Sequence, residues 1–201
     1  HDPLRRQRQM CIRDRLNGKP KIIVLEISIP SNSKYTIESK SMKLFLNSFF
    51  DKTYSKQAEV INILTERISK KCNSEVKIVV KTSFKTFDSD KFTNKAGLLV
   101  YEGFRSICPV TSQPDWGNIY LYSSTNTLNK KEIFDFLFSL RNHGGFHEHC
   151  IEKTFLYVKE TFSVDHLEIC GRFFRRGGID INPIRSTQKK LFFENFREFN
   201  Q

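Results

Sequence analysis

Cys108 lies in a loop that is dense in turn-forming residues, CPVTSQPDWG, and Asp115 follows it seven positions later. A thiol in a partly open loop can lose its proton and act as a nucleophile, and a nearby carboxylic acid can donate a proton. The alternative is a structural role, because free cysteine is among the most buried residue types. We expect that structural role for the cysteines on or beside the faces of predicted elements, Cys72, Cys150 and Cys170.

A second group of candidate residues surrounds the start of a predicted helix: His143, His147, Glu148, His149 and Cys150. Two histidines four positions apart can share a helical face, and a zinc site needs three or four ligands. The glycine pair between them interrupts the helix that would align them, so a polar helix start is the favoured alternative. Glu148 in the first turn suits the helix dipole, and it could also accept hydrogen bonds from the paired N–H groups of a purine-like ring.

Basic residues form two further groups, Lys40 with Lys43, and Arg172 with Arg175 and Arg176 followed by Gly177-Gly178. Arginine side chains and glycine-exposed backbone N–H groups suit phosphate, whereas a solvated charged surface explains the same residues without a ligand. The sequence has no G-x-G-x-x-G or Walker-type loop, which excludes nucleotide binding of the Rossmann or P-loop kind. We expect the last basic cluster to be solvated: Lys189, Lys190 and Arg197.

The whole chain has 201 residues and a formal net charge of +11, which favours one large or two small domains and negatively charged partners. Residues 1–15, HDPLRRQRQMCIRDR, supply three of these charges without helical or strand periodicity. They resemble the translated end of a sequencing-library transposon, so we expect a non-native, adapter-derived scar and exclude it from the fold. The remaining cysteines form no C-x-x-C pair and no secretory signal is present, which predicts a reducing cytoplasm.

Hydrophobic periodicity predicts the elements that must position these residues. The first half has a predicted strand, two helices, a strand and a polar connector, at residues 21–29, 41–49, 55–71, 75–82 and 85–95. The second half has two strands, two helices and two strands, at residues 97–106, 118–123, 129–143, 146–162, 167–173 and 179–181. The second pattern predicts an α+β unit with an antiparallel sheet and its helices on one face. The first half resembles the same unit with its opening strand or strands missing.

Four motifs occur in one order along the sequence: ESKS at 38–41, CPVTSQPDWG at 108–117, FHE at 146–148 and RRGGIDINPIRS at 175–186. Together they resemble the NADPH-dependent nitrile reductase family, the 7-cyano-7-deazaguanine reductases of queuosine biosynthesis, over residues 16–186. The resemblance implies the tunnelling fold, or T-fold, which is built from the two-strand, two-helix, two-strand unit. Because ESKS precedes the cysteine motif, it implies the bimodular form, with an incomplete first module at 16–95 and a second module at 96–201.

The same resemblance implies a reaction and a set of site residues. The nitrile of 7-cyano-7-deazaguanine would be reduced by NADPH to the primary amine of 7-aminomethyl-7-deazaguanine, for tRNA modification, through a thioimide on Cys108 with Asp115 as proton donor. The implied substrate contacts are Ile37, Glu38, Ser39, His147 and Glu148. The implied NADPH contacts are Ser39, Lys40, Arg176 and Gly177, and no metal is implied.

The expected partners are the small-molecule substrate and further copies of the chain, in a homodimer or higher homo-oligomer within the cytoplasm. We expect no direct nucleic-acid contact and no membrane contact, because no apolar run approaches about 18 residues. A non-catalytic T-fold module that binds a purine, a pterin or RNA would also explain the positive charge. A zinc hydrolase built around His147 is a third hypothesis, and it would need stoichiometric metal.

Overall fold

The computed structural model describes residues 5–16, 19–49, 52–86, 97–124, 128–198 and 201. Backbone contacts divide the chain into two compact units. We call Arg5–Ser83 with Arg175–Asp180 the amino-terminal unit, and Phe84–Phe174 with Ile181–Gln201 the carboxy-terminal unit. The division thus falls about a dozen residues before the boundary expected from the sequence, and a short later segment returns to the amino-terminal unit.

The amino-terminal unit has two long strands, two helices and two further strands. In chain order they are β1 (Arg5–Leu16), β2 (Lys19–Ile29), α1 (Ser39–Asn47), β3 (Thr53–Tyr54), α2 (Gln57–Cys72) and β4 (Lys77–Lys81). β2 pairs antiparallel with β1 on one side and with β4 on the other, and β3 runs parallel to β1. β1 covers most of the segment 1–15 that was expected to lie outside the fold, so the structure has a strand before the first predicted one. The non-native origin of that segment stays a prediction.

Helices α1 and α2 both bury one apolar stripe. The predicted stripe of α2 is confirmed at Val60, Leu64 and Ile68, which are buried, whereas Ile61 is only half-buried. Asn73 ends α2 in the left-handed conformation, which asparagine adopts more readily than most residues. Buried residues also alternate along β2, so this unit has its own core, to which each fully buried side chain contributes about 1.5–3 kcal/mol.

The carboxy-terminal unit has the predicted order of two strands, two helices and two strands. Its main elements are β6 (Leu98–Ile107), β7 (Pro114–Ser123), α3 (Lys130–Ser139), a short 3-10 turn (Leu140–Asn142), α4 (His147–Phe162), β8 (Leu167–Phe173) and β9 (Asp180–Ser186). β6, β7, β8 and β9 are neighbours in that order, and their pairings are antiparallel. The α+β class and the T-fold order are confirmed. β7 begins at Pro114, four residues earlier than predicted, which places Asp115 in a strand.

Two side-chain layers cover the two faces of this sheet. One contains Ile119 and Ile169 from the strands, packed with Leu137 of α3 and Phe155 of α4. The other contains Tyr120 and Cys170, and it is covered by Phe193 and Phe196 from the last segment of the chain. That segment carries β10 (Phe196–Arg197), which pairs in parallel with β5 (Lys85–Thr86).

The basic residues of the last segment differ in their exposure. Lys189 and Lys190 are exposed, as predicted, whereas Arg197 is half-buried.

Among the described residues, no helix has the length and apolar character that crossing a membrane requires.

Candidate active site

Cys108 lies immediately after β6, in a turn that two backbone hydrogen bonds close. The Cys108 N–H donates to the carbonyl of Gln113 over 2.9 Å, and the Ser112 N–H donates to the carbonyl of Cys108, also over 2.9 Å. Ser112 has a φ of +54°, in the left-handed region that non-glycine residues seldom adopt. The turn therefore fixes Cys108 between β6 and β7 and leaves its side chain half-exposed.

The segment before α4 is hydrogen-bonded to the residue that precedes Cys108. The Ile107 N–H donates to the His143 carbonyl over 2.9 Å, and the Gly145 N–H donates to the Ile107 carbonyl over 3.1 Å. A side chain at position 145 would crowd two imidazoles, because an added Cβ would lie 3.1 Å from His143 and 3.3 Å from His149. This parallel bridge anchors the start of α4, with its His-Glu pair, to the end of β6.

Asp115 and His147 meet inside the carboxy-terminal unit. Asp115 is 2% exposed, and its Oδ1 lies 3.6 Å from Nε2 of His147, the first residue of α4. The His147 ring also packs edge-on against Phe173 of β8, with 4.3 Å between ring centroids. Asp115 is close enough to Cys108 for its charge to act on the thiol. Glu148 follows His147 in the first turn of α4 and is half-buried.

The cysteines of this unit differ in how easily they ionise. Partial burial raises the pKa of Cys108, but hydrogen bonds from the Thr111 hydroxyl and from the Thr111 and Val110 N–H groups outweigh it. The pKa of Cys108 is therefore lowered, although the charge of Asp115 opposes the shift. Burial instead raises the pKa of Cys150, and it raises the pKa of Cys170 to about 11. The predicted burial of Cys72, Cys150 and Cys170 is confirmed.

Glu38, Ser39 and Lys40 form the start of α1 in the amino-terminal unit. The Glu38 carboxylate caps this helix, accepting hydrogen bonds from the N–H groups of Lys40 (2.7 Å) and Ser41 (2.9 Å). Partial burial raises the pKa of Glu38, but these bonds and those from neighbouring serine hydroxyls bring it below its ordinary value. Ile37, Glu38 and Ser39 are half-buried, and Lys40 is exposed.

Arg176 and Gly177 belong to the same amino-terminal unit as α1. Arg176 and Ile179 form a tight turn, in which the Arg176 N–H donates to the Ile179 carbonyl over 2.9 Å. Gly177 within this turn has a φ of +58°, and an added Cβ there would lie 3.1 Å from Cε of Lys43. The Lys43 side chain therefore passes over an exposed glycine backbone, next in the chain to an arginine.

The predicted site residues fall into two groups, one in each unit. The structure brings Asp115 together with His147 and places Cys108 under the influence of Asp115. It also places Arg176 and Gly177 in one unit with the ESKS motif. The thiol contact of Thr111 was missed from the sequence; the threonine sits inside the quoted motif, but its role depends on the shape of the turn. Within the described ranges, no group of three or more His, Cys, Asp and Glu residues is arranged to hold a metal ion.

Comparison with known proteins identifies both halves of the chain. Residues 14–80 match the family model described as the N-terminal part of nitrile reductase, 7-cyano-7-deazaguanine reductase. Residues 114–191 match a model described as QueF-like protein. A solved structure titled archaeosine synthase QueF-Like, in the apo form, aligns with 46% of this chain and 95% of its own at 14% identity and a TM-score of 0.41.

Several curated relatives carry one name, NADPH-dependent 7-cyano-7-deazaguanine reductase. The protein from Buchnera aphidicola is 34% identical over 85% of this chain and 77% of its own length. The protein from Coxiella burnetii (strain Dugway 5J108-111) is 32% identical over 92% and 76%, and that from Hahella chejuensis is 32% identical over 90% and 76%. These names do not favour a non-catalytic binding module. The chain belongs to the 7-cyano-7-deazaguanine reductase family of nitrile reductases.

Proposed function

We propose that this chain is an oxidoreductase that reduces the nitrile of 7-cyano-7-deazaguanine to the primary amine of 7-aminomethyl-7-deazaguanine, with NADPH, in queuosine biosynthesis. The observation that carries the proposal is a thiol of lowered pKa, Cys108, beside a buried carboxyl group, Asp115, that contacts His147. A nitrile carbon is a poor hydride acceptor, whereas the thioimide formed by thiolate attack has a carbon–nitrogen double bond that can accept hydride. The family membership supports both the substrate and the cofactor.

The first step forms a bond between the Cys108 sulfur and the nitrile carbon. One π pair of the triple bond moves to nitrogen, which takes a proton from the carboxyl group of Asp115, and the product is a neutral thioimide. Asp115 is 2% exposed, and Nε2 of His147 lies 3.6 Å from its Oδ1, so the imidazole helps to position the buried carboxyl group.

When bound, NADPH supplies hydride, and two equivalents are needed to take the nitrile to the amine. After the first reduction the carbon–sulfur bond breaks, its electron pair returns to Cys108, and an imine remains for the second. The residues proposed to hold the cofactor are Ser39, Lys40, Arg176 and Gly177. Their fit to an anionic group is supported by the Lys43 side chain, whose ammonium group lies over the exposed Gly177 backbone.

Recognition of the substrate ring is assigned to five residues: Ile37, Glu38, Ser39, His147 and Glu148. Carboxylates accept hydrogen bonds only, so Glu38 and Glu148 suit the N–H edge of a guanine-like ring.

The proposal also covers the assembly of the enzyme and its location in the cell. We expect a homodimer or higher homo-oligomer in the cytoplasm, with two tandem modules and without direct contact to nucleic acid.

A direct assay tests the proposal. The purified chain is mixed with 7-cyano-7-deazaguanine and NADPH, and the loss of NADPH absorbance and the mass of the product are followed. We expect two NADPH consumed for each amine formed. The Cys108→Ala variant should lose turnover on the order of 10³-fold or more while keeping its circular dichroism spectrum. The control is Cys72→Ala, which removes a buried thiol from the amino-terminal unit. Turnover by Cys108→Ala at the parent rate would overturn the assignment of the nucleophile.

A further inference from the structure

The Cys108 sulfur has three hydrogen-bond donors within its own turn. They are the side-chain hydroxyl of Thr111 and the backbone N–H groups of Thr111 and Val110. The turn that presents them is closed at both ends by the hydrogen bonds between Cys108, Ser112 and Gln113. The three donors therefore converge on one atom, and the geometry of the turn keeps them there.

Donors of this kind favour the charged form of the group that they surround. A hydrogen bond to an anion is shorter and roughly twice as strong as a bond between neutral groups, so the thiolate gains more than the thiol. One charged group of the site opposes this effect, because Asp115 on β7 raises the pKa of Cys108. His147, from the start of α4, contacts Asp115, and the charge of Asp115 also raises the pKa of Cys150 in that helix.

We propose that Thr111 is a thiolate-stabilising residue, whose hydroxyl donates to the sulfur of Cys108 and favours its nucleophilic form. The role in turnover rests on the proposed function. In the attack on the nitrile the sulfur loses its charge and the three donors lose an anionic acceptor. When the carbon–sulfur bond later breaks, the electron pair returns to the sulfur and the same donors stabilise it as a leaving group.

Thr111 supplies the only one of the three donors that a substitution can remove without changing the backbone. Thr111→Val keeps the branched shape and lacks the hydroxyl, and Thr111→Ser keeps the hydroxyl and lacks the methyl group. A matched control is Thr65→Val, which removes a threonine hydroxyl bonded to the Ile61 carbonyl within α2. Thr111 is exposed, so its replacement leaves the core intact, and Thr111→Ala provides a second variant without the hydroxyl.

The test measures the rate of alkylation of Cys108 by iodoacetamide as a function of pH, with the modified peptide identified by mass spectrometry. We expect the profile of Thr111→Val to move to higher pH, with a rate at pH 7 that is roughly 3- to 10-fold lower than that of the parent. At high pH its rate should equal or exceed the parent rate, because a thiolate of higher pKa is the stronger nucleophile. Thr111→Ser and Thr65→Val should follow the parent profile.

Two results would overturn the proposal. One is a Thr111→Val profile that coincides with that of the parent. The other is a Thr111→Ser profile that coincides with that of Thr111→Val, since loss of the methyl group would then explain the change. Alkylation needs neither NADPH nor the nitrile, so it separates this proposal from the proposed function. A parent chain without nitrile turnover but with the expected profiles would retain the thiolate role of Thr111 and refute only the reaction.

Discussion

The two units hold a negative charge by the same local device in different settings. In the carboxy-terminal unit the Cys108 sulfur accepts from N–H groups two and three residues further on, together with the Thr111 hydroxyl. In the amino-terminal unit the Glu38 carboxylate accepts from N–H groups two and three residues further on, together with serine hydroxyls. The pKa of each group is lowered as a result. In both motifs, therefore, the backbone N–H groups that follow an acidic side chain stabilise its charged form.

The two settings differ in what the charge stabilises. Glu38 is an N-cap, so its charge serves the first turn of α1. Cys108 lies in a turn that is closed by its own backbone hydrogen bonds and begins no helix. The charge of Asp115 raises the pKa of Cys108 and so disfavours its thiolate. The N-cap of α4 is the apolar Phe146, which within the described residues provides no side-chain cap. The Glu38 carboxylate therefore stabilises a helix, whereas the Cys108 thiolate is available to react as a nucleophile.

The largest effect is expected from Asp115→Asn in the carboxy-terminal unit. An amide keeps the shape but cannot donate the proton that the nitrile nitrogen requires, so kcat should fall about 10²- to 10⁴-fold. Steady-state kinetics of nitrile-dependent NADPH oxidation measure the change. Asp135→Asn is the control, since Asp135 is an exposed carboxylate paired with Lys131 on α3. Parent-like turnover by Asp115→Asn would remove the acid from the comparison and leave the thiol alone.

The next effect concerns stability in the amino-terminal unit. Glu38→Ala removes the cap of α1 and should lower the free energy of unfolding by about 1 kcal/mol, measured by urea denaturation. Because the pKa of Glu38 is lowered in the folded chain, this contribution is present above the unfolded pKa and is lost as pH falls through the folded pKa. Asn129→Ala, which removes the cap of α3, is the matched variant in the other unit. A Glu38→Ala chain as stable as the parent at neutral pH would show that the cap contributes nothing.

A similar but more local effect is expected at Gly177. Gly177→Ala should cost about 1 kcal/mol because its φ of +58° is unfavourable for a side chain, and it should raise the KM for NADPH by displacing Lys43. Gly103→Ala is the control: its φ is +70°, and no described atom lies within 4 Å of the added Cβ. If the two variants have the same KM for NADPH, the cofactor does not use the Gly177 turn.

The smallest effect is expected at two of the three described non-glycine residues with a left-handed backbone: Ser112 in the Cys108 turn and Asn73 at the end of α2. Glycine relieves the backbone strain but adds disorder to the unfolded chain, so Ser112→Gly and Asn73→Gly should change stability by no more than about 0.5 kcal/mol. Thermal denaturation measures both. A Ser112→Gly variant that loses Cys108 reactivity without losing stability would show that the turn needs a stiff backbone to hold its donors.

Local pattern predicted much of this molecule because local interactions decide it. The stripes of α2 and the two-strand, two-helix, two-strand order follow from periodicity, which depends on residues within one or two turns. The four motifs placed the chain in its family for the same reason, since each is a continuous run of residues. The roles of Cys108 and of Glu38 could be inferred as candidates, but the sequence does not show which donors reach them.

Tertiary structure alone decided the features that join distant segments. Arg175–Asp180 belongs with α1, although more than a hundred residues separate them, and Lys43 packs over Gly177. The last segment covers the second face of the carboxy-terminal sheet, where the buried Glu168 carboxylate accepts from the N–H groups of Phe192 and Phe193. Arg172, also buried, contacts the ring of Phe196 there instead of serving as a free phosphate ligand. Periodicity cannot reveal such partners, because they come from segments that are far apart in the sequence. Burying a charge is costly unless hydrogen bonds compensate it, and here the tertiary structure supplies them.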